Sequence, residues 1–336
     1  MIDAGEAVIV VRGPNWLGDT VMALPALRAL RAGRPAARIT LAGRWAELLA
    51  GQAVADVLLP YPRPAGERRR FNRALGAMGA DLAILFPSSL ESALAARRWR
   101  ARRRLGFDAD TRGLLLTDAI PLPSPRQHQV DEYARLLAPL GVDVPDATPT
   151  WTLAVDREAD RAVDALLGEV GLGGRPRLVG LHVGAAFGPS KLWPAESFAR
   201  LAAQLAGTHL TPLLLGSPAD RETADAVIAA SRRPPASLVG RDRPALLPRL
   251  FSRLSCLVSG DTGVAHLAAA VGVPTVTLFG PTDPRLTAPR SPGARVVSHP
   301  TACAPCFLAA CPIEHGCLRG IEADDVARQV RHVAAA

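Results

Sequence analysis

The only lysine of the chain lies in a glycine-rich segment whose composition suits phosphate binding. Of the 39 basic residues, Lys191 alone is a lysine, and its segment has the sequence GAAFGPSKLWP at residues 184–194. The segment follows a strand pattern and precedes a helix pattern with proline at its first position. An ammonium beside a helix N-terminus, next to the hydroxyl of Ser190, is a suitable ligand for a diphosphate. A solvated surface lysine is the alternative, and the rarity of lysine in this chain favours phosphate binding.

A second strand–helix junction of the same half is rich in small and polar residues. It has the sequence SGDTGVAH at residues 259–266, so that backbone amides and a hydroxyl converge where a helix begins. This composition predicts a phosphate cradle without the Walker spacing, formed by Asp261, Thr262 and Gly263, with His266 on the helix. Asp261 or Thr262 as a simple helix cap, and His266 as a helix histidine with an internal partner, are the alternatives.

The loop after the first predicted strand presents a carboxylate at the start of a helix. Its sequence is RGPNWLGDT at residues 12–20, and it contains Asn15, Trp16, Gly18 and Asp19. In open α/β sheets, ligands bind beyond the carboxyl ends of the strands, where this loop is expected to lie. The loop lacks both G-x-G-x-x-G and the Walker lysine, so a dinucleotide or triphosphate site has little support. Asp19 as a helix N-cap alone is the alternative.

A further segment of the second half places acids just after a strand. It has the sequence GSPADRE at residues 216–222, and an acid at this position often binds the hydroxyl pair of a ribose. We therefore include Gly216 and Glu222 among the expected donor-binding residues. A surface salt bridge with Arg221 is the alternative.

Six arginines surround one tryptophan in the string RRWRARRR at residues 97–104. Together with a formal net charge of +8, this run favours acidic partners: a phosphorylated or lipid-bound acceptor, an anionic membrane surface or nucleic acid. We place Arg98 on the expected acceptor-binding surface. A solvated basic face is the alternative, and an arginine-rich composition can by itself reflect the base composition of a genome.

Four cysteines lie close together near the end of the chain. Cys303, Cys306, Cys311 and Cys317 have the spacing C-x2-C-x4-C-x5-C, with His315 between the last two. In a reducing compartment, such a cluster predicts a structural site for zinc or another thiophilic metal. Four thiolates would leave no open coordination position, so a catalytic metal is not expected. The spacing matches no common zinc module, and cysteines without a metal remain the alternative.

These segments alternate with strand and helix patterns that predict a doubly wound α/β fold. Proline- and aspartate-rich residues 142–150 separate two halves of like architecture, and we predict domains at 1–155 and 156–336. The predicted strands are 7–11, 38–42, 57–60, 82–86, 104–107, 178–183, 213–215, 238–240, 256–259 and 275–279. The predicted helices are 20–32, 128–140, 194–206, 221–230, 245–254, 264–271 and 322–333.

Composition and hydropathy agree with a globular protein of this class. Apolar residues make up 49% of the 336 residues and aromatic residues only 4%, which suits parallel sheets covered by alanine-rich helices. The apolar run at 7–11 is too short for a signal peptide, and no stretch approaches the roughly 20 apolar residues that cross a bilayer. We expect a cytoplasmic protein, with room for peripheral contact at the inner membrane surface.

Taken together, the motifs resemble the ADP-heptose–lipopolysaccharide heptosyltransferases of glycosyltransferase family 9. The resemblance covers nearly the whole chain and depends on NWLGD at 15–19, on residues 184–194, and on DTG at 261–263 with His266. The string FGPSKLWP at 187–194 is its most specific part. The segment PSSLESAL at 87–94 is similar to the acceptor-domain segment of the family.

The resemblance implies a GT-B enzyme that is inverting, needs no catalytic metal, and binds its substrates between two Rossmann-like domains. By motif position, Asp19 is expected to be the general base and Lys191 to stabilise the leaving diphosphate. Glu222 is a looser match to the ribose-binding acid of the family, because Pro218 occupies the nearer position. The implied donor-binding residues are Ser190, Lys191, Gly216, Glu222, Asp261, Thr262, Gly263 and His266. The implied acceptor-binding residues are Asn15, Trp16, Gly18, Ser88, Ser89 and Arg98.

The implied partners are ADP-heptose as donor and an acidic, lipid-linked acceptor of the lipopolysaccharide inner core; no cofactor is required for catalysis. A GT-B enzyme that uses another nucleotide sugar is the first alternative. A metal-containing nucleic-acid-binding protein is a distant second alternative, because it leaves Lys191 and both glycine-rich loops without a role. We therefore expect no nucleic-acid partner.

Overall fold

The computed structural model describes residues 7–174, 177–241 and 243–334, which form two compact units. The units are Met1–Pro149 and Thr150–Ala336, whereas the sequence places the boundary between 155 and 156. The segment after Pro149 is bonded to the second unit, because the Trp151 amide donates to the Ala270 carbonyl over 2.8 Å. The following helix begins only after Asp156, which caps it.

The first unit contains one parallel six-stranded sheet with the order β3-β2-β1-β4-β5-β6. Its central strands, β1 and β4, are almost wholly buried, as expected for apolar runs in a sheet covered on both faces. The strands are β1 (Val8–Arg12), β2 (Arg38–Gly43), β3 (Val57–Pro60), β4 (Leu82–Leu85), β5 (Arg103–Asp108) and β6 (Asp118–Pro121). The helices are α1 (Leu17–Met22), α2 (Leu24–Gly33), α3 (Ala65–Gly76), α4 (Leu90–Arg98) and α5 (Gln129–Arg135).

The second unit has a second parallel six-stranded sheet, with the order β12-β11-β10-β7-β8-β9. Its strands are β7 (Leu178–His182), β8 (Thr211–Leu215), β9 (Ala236–Ser237), β10 (Leu254–Gly260), β11 (Thr275–Phe279) and β12 (Ala294–Ser298). Its helices are α6 (Arg157–Glu169), α7 (Ala195–Ala206), α8 (Arg221–Ala230), α9 (Leu247–Phe251), α10 (Gly263–Val271), α11 (Pro284–Thr287), α12 (Gly316–Arg319) and α13 (Ala323–Ala334). Because β7 and β10 are neighbours, the loops that follow them meet at one edge of the sheet.

A buried tryptophan anchors the core of each unit. Trp99 is fully buried in the first unit, and its indole N–H donates to the Asn72 side chain over 2.9 Å. Trp193 packs edge-on against Phe198 in the second unit and donates to the Ile321 carbonyl over 3.1 Å. Trp193 follows Lys191 by two residues, so the core of the second unit also fixes the end of the predicted phosphate-binding segment.

Several predicted elements differ from the structure. The helices predicted at 128–140 and 245–254 are shorter, as α5 and α9, and two further differences have identifiable reasons. The helix predicted at 20–32 is two helices that meet at Ala23, because Pro25 in the first turn of α2 has no N–H to continue α1. The strand predicted at 238–240 lies earlier, at β9. β9 ends at Ser237, although the Leu238 and Gly240 amides still donate to the Leu214 and Gly216 carbonyls over 2.9 Å. The chain then turns at Gly240, which has a φ of 78°. Throughout the described part of the chain, no helix is long and apolar enough to cross a membrane.

A methyl group added to Gly180 of β7 tests the packing of the second core. Its Cβ would lie 2.8 Å from the Cδ1 atoms of Leu215 and Leu254 and 2.9 Å from that of Leu257. We expect Gly180→Ala to lower the free energy of unfolding by about 1–3 kcal/mol, measured by urea denaturation. Gly168→Ala in α6 is the control, because nothing lies within 4 Å of its Cβ position. Equal stability of the two variants would contradict this packing.

Candidate active site

Lys191 and Asp261 form a buried ion pair at the carboxyl edge of the second sheet. The Lys191 ammonium lies 2.6 Å from Asp261 Oδ2 and 3.0 Å from the Asp261 carbonyl oxygen. The side chains are 11% and 7% exposed. Thr282 donates its hydroxyl to the same carboxylate oxygen over 2.8 Å, and the ammonium lies 4.9 Å from the centre of the Phe187 ring. The loops after β7, β10 and β11 therefore converge on one ion pair.

The start of α10 lies next to this ion pair. Thr262 occupies the N-cap position, but its side chain makes no capping hydrogen bond and instead shares one of 2.8 Å with the Ser259 hydroxyl. Asp261 precedes the cap, and its carboxylate bonds Lys191 and Thr282. The interpretation of Asp261 or Thr262 as a simple helix cap is therefore wrong. Gly263 begins the helix, and His266 is buried one turn further on. The Ala265 amide donates to the Thr262 carbonyl over 3.1 Å, and the amides that precede it at the start of the helix can bind an anion.

Asp220, one of the acids in the segment that follows β8, has a structural role. Asp220 Oδ2 accepts hydrogen bonds of 2.7 Å from both the amide and the hydroxyl of Ser217. A Cβ at Gly184 would lie 2.3 Å from that oxygen, so only glycine permits this approach. Gly216 is buried beside the same carboxylate, whereas Glu222 is exposed in the first turn of α8. Glu222 is thus the acid of this segment that is free to meet a ligand.

His182 lies at the end of β7, close to Asp220. Burial lowers the pKa of His182 to about 4, although the nearby carboxylate of Asp220 acts in the opposite direction. The imidazole is therefore neutral at physiological pH. The sequence pattern gave no indication of this residue, because a histidine at the end of an apolar strand looks like any other buried polar residue.

In the first unit, Asp19 lies in the first turn of α1 rather than at its cap. Trp16 is the N-cap residue and makes no side-chain capping bond, so the interpretation of Asp19 as an N-cap is wrong. Asp19 is half-buried, and its Oδ1 accepts a hydrogen bond of 3.3 Å from the Tyr133 hydroxyl of α5. Burial, and secondarily the charge of Asp19, raise the pKa of Tyr133 well above its usual value. Tyr133 therefore remains a hydrogen-bond donor to the carboxylate.

A buried arginine supports the loop that precedes Asp19. Arg12 is 1% exposed and donates from Nη1 to the Gly13 carbonyl over 2.5 Å and from Nη2 to Asn15 Oδ1 over 2.7 Å. Its guanidinium stacks 3.7 Å from the centre of the Tyr61 ring, and the Tyr61 hydroxyl donates to Glu91 over 2.5 Å. Burial is the main cause of its lowered pKa. The Asn15 side chain is thus fixed by Arg12, whereas Trp16 beside it is 54% exposed.

A second buried arginine holds the segment that contains Ser88 and Ser89. Arg112 Nη1 donates to the Pro87 carbonyl over 2.5 Å, to the Ser89 carbonyl over 3.2 Å and to the Ser92 hydroxyl over 2.7 Å. Burial lowers the pKa of Arg112 to about 10, so it remains charged at neutral pH. Ser89 is the N-cap of α4 and, like Ser88, is half-buried. An isolated arginine in the sequence carries no signal of this role.

The arginine run at 97–104 does not form one continuous basic face. Trp99 is in the core, and Arg103 in β5 pairs with Asp118 over 2.5 Å. Arg98 is exposed and lines a cavity of about 280 Å³ together with Arg69 and Arg73 of α3. The interpretation of the run as a uniform solvated face is therefore wrong, and contact with an acidic partner stays a prediction. The local basic surface is formed by α3 and the end of α4.

The cysteines do not form the predicted metal site. Within residues 7–174, 177–241 and 243–334, no group of three or more His, Cys, Asp or Glu side chains is placed to hold a metal ion. Cys317 is buried in the hydrophobic core, with its Sγ 3.2 Å from the Cβ position of Gly280, whereas Cys303 is exposed. Cys306 and Cys311 are half-buried. We call residues 299–317 the cysteine-rich strap.

Comparison with known proteins identifies a family for this arrangement. The model of glycosyltransferase family 9 (heptosyltransferase) matches residues 68–316. Lipopolysaccharide heptosyltransferase 2 of Salmonella typhimurium is 31% identical over 313 residues, which cover 86% of this chain and 87% of that protein.

Two solved structures share the fold. The E. coli ADP-heptose lipopolysaccharide heptosyltransferase II is 27% identical, with a TM-score of 0.79 over 97% of this chain and 98% of that one. The glycosyltransferase family 9 structure from Veillonella parvula is 22% identical, with a TM-score of 0.84 over 99% of both chains. The two-domain α/β fold of GT-B type that the sequence predicts is therefore confirmed.

The neutral His182 predicts a loss of stability in acid. Its folded pKa of about 4 lies below the unfolded value of 6.5, so the unfolded chain binds more protons between these pH values. His182 should therefore lower the free energy of unfolding by about 1–3 kcal/mol when the pH falls from 7 to 4. Urea denaturation at several pH values would measure this decrease. His182→Asn should show a smaller decrease, and the exposed His332→Asn should behave as wild type. An unchanged pH dependence in His182→Asn would show that this histidine is not the cause.

Proposed function

Because this chain belongs to glycosyltransferase family 9, we propose that it transfers a heptose from ADP-heptose to an acidic, lipid-linked acceptor of the lipopolysaccharide inner core. The names of the Salmonella and E. coli relatives support both substrates. The observation that carries the proposal is the buried Lys191–Asp261 pair beside the start of α10. It places a fixed ammonium donor beside the amides at the start of a helix, and both can donate hydrogen bonds to a departing diphosphate.

The donor is proposed to bind the second unit at the carboxyl edge of its sheet. The Lys191 ammonium already has two oxygen partners in Asp261, which fix its position. A phosphate oxygen can take its remaining donor, and the amides at Thr262 and Gly263 can bind a second oxygen. Glu222 is exposed at the start of α8, where it can bind the ribose hydroxyls. In this arrangement an ammonium and helix-terminal amides lie where negative charge develops, and we propose that the transfer requires no divalent cation.

The acceptor is proposed to bind the first unit, with Asp19 as general base. Inverting transfer is a single displacement at the anomeric carbon, in which the acceptor hydroxyl loses its proton as the new bond forms. Asp19 is half-buried and oriented by Tyr133, so a carboxylate oxygen can accept that proton. The loop with Asn15, Trp16 and Gly18, which Arg12 supports, adjoins Asp19 and can contact the acceptor sugar.

Acidic groups of the acceptor match the charge of the first unit. Ser88 and Ser89 offer hydroxyls near the carboxyl end of β4, and Arg98 belongs to the basic surface formed by α3 and α4. The same surface suits peripheral contact with the cytoplasmic face of the inner membrane, where a lipid-linked acceptor would be presented. We propose this location for the enzyme.

Loss of the Asp19 carboxylate should lower the rate of sugar transfer without changing the affinity for the donor. We expect Asp19→Asn, which keeps the shape of the side chain, to lower kcat by about 10²–10⁴-fold. The affinity for ADP, measured by calorimetry, should remain that of the wild type, because Asp19 belongs to the other unit. The exposed Asp143→Asn is the matched control and should be fully active. Near-normal turnover in Asp19→Asn would exclude Asp19 as the base.

Loss of the Lys191 charge should weaken both donor binding and turnover. A hydrogen bond to a charged group contributes about 1.5–3 kcal/mol, so Lys191→Met should weaken ADP binding by roughly 10–150-fold. Lys191→Arg should retain part of the affinity. Arg200→Met removes an exposed positive charge from α7 and serves as the control for net charge. If Lys191→Met binds ADP as tightly as Arg200→Met, the diphosphate does not contact Lys191.

The nucleotide specificity of the donor site tests the substrate directly. In a thermal-shift series with ADP, GDP and UDP, each with its sugar conjugates, ADP and ADP-heptose should raise the melting temperature most. A larger shift with GDP or UDP would favour the alternative enzyme, a GT-B glycosyltransferase that uses another nucleotide sugar. Mass spectrometry of the acceptor after incubation with ADP-heptose would then show whether a heptose is transferred.

A further inference from the structure

The cysteine-rich strap is the part of the second unit to which the proposed chemistry gives no role. We propose that this strap positions Lys191 for the donor diphosphate, and that Gly188 and Ser190 are the positioning residues through which it acts. The inference rests on the proposed donor site and adds to it an element that touches no substrate itself. Its support lies in hydrogen bonds at two points of the strap and in a close approach that only glycine allows.

The first point of attachment is immediately before Lys191. The Ser190 amide donates to the Ala309 carbonyl over 3.1 Å, and the Ser190 hydroxyl donates to the Leu308 carbonyl over 2.6 Å. Ser190 is only 1% exposed, so both bonds are shielded from water. The hydroxyl that the sequence suggested for donor binding is therefore engaged by the strap. Ser190, which directly precedes Lys191, is therefore fixed through both its main chain and its side chain.

The approach of the strap to this segment requires glycine at position 188. A Cβ there would lie 2.4 Å from the Ala309 carbonyl oxygen, which is backbone and cannot rotate away. Gly188 also has a φ of 150°, which disfavours a larger residue. The Lys191 amide donates to the Gly188 carbonyl over 3.2 Å, so a displacement of Gly188 would be transmitted to Lys191 directly.

The second point of attachment lies next to Thr282, which orients Asp261, the partner of Lys191. The amides of Cys306 and Phe307 both donate to the Pro281 carbonyl, over 3.0 Å and 2.8 Å. Thr282 follows Pro281 and donates its hydroxyl to Asp261, the acceptor of the Lys191 ammonium. The strap therefore joins the segment that carries Lys191 to the segment that orients Asp261.

Main-chain hydrogen bonds, rather than apolar burial, fix the middle of the strap. Phe307 and Leu308 are about half exposed although their backbone groups are bonded. The end of the strap is anchored differently: Cys317 is buried, and the Cβ position of Gly280 lies 2.6 Å from Leu318 Cγ.

The test compares Gly188→Ala with Gly207→Ala in the full chain. The Cβ position of Gly207 has its nearest neighbour at 3.5 Å, an ordinary contact, so this control should behave as wild type. In Gly188→Ala we expect the Kd for ADP and the KM for the nucleotide-sugar donor to rise at least tenfold. The KM for the acceptor should stay unchanged. Ser190→Ala, which loses one hydrogen bond and creates no clash, should show the same pattern at roughly three- to tenfold.

Hydrogen exchange provides a readout that does not depend on the activity. In both variants, without nucleotide, the amides of residues 190–193 and 306–310 should exchange faster than in Gly207→Ala, while the core strands remain protected. Unchanged ADP affinity in both variants, with folded protein, would overturn the proposal. If the wild type binds no ADP, the proposed donor is wrong, and the test then depends on hydrogen exchange alone. Faster exchange at 190–193 in the variants would support the strap as the positioning element. Unchanged exchange there would reject it.

Discussion

The buried contact between the Lys191 ammonium and Asp261 is the constraint on which the rest of the second unit depends. Removing both charges from water is costly, and the pair is maintained only because the Asp261 carbonyl and the Thr282 hydroxyl complete its hydrogen bonding. Such a pair adds little to stability, but it fixes an ammonium at one position before any ligand arrives. Two glycines allow backbone to approach the segment that carries Lys191: the Cβ position of Gly188 lies 2.4 Å from the Ala309 carbonyl oxygen of the strap, and that of Gly260 lies 2.9 Å from the Lys191 carbonyl oxygen.

In the first unit, buried guanidinium groups fix loops as the buried ammonium does in the second. Arg12 and Arg112 each hold a loop at the carboxyl edge of the sheet by donating to backbone carbonyls. A planar group with five donors can join several acceptors at once, which an ammonium does less well. In a chain whose cations are otherwise all arginine, these residues act as internal supports.

The sequence predicted the sheets and the loops well, because both depend on local patterns. Apolar β-branched runs mark buried strands, and glycine-rich junctions mark the places where backbone approaches a ligand. The contacts between distant segments were not predictable: Tyr133 lies 114 positions from Asp19, and Ser190 lies 118 from Leu308. The predicted metal site is not formed among the described residues. Cys317 belongs to the hydrophobic core, and burial, followed by the nearby Cys303, Cys306 and Cys311, raises the pKa of its thiol. Arg98, which is predicted to bind the acceptor, is exposed, whereas Trp99 beside it is an interior residue that the arginine-rich string did not reveal.

The position of the single lysine has a practical consequence for spectroscopy. Uniform isotopic labelling of lysine would place one side-chain ammonium signal in the whole protein, at the centre of the proposed donor site. Because that ammonium is 11% exposed and bonded to Asp261, its protons should exchange with water slowly enough to be observed. One resonance would then report on phosphate occupancy and on the charge of Asp261, without assignment of the other residues.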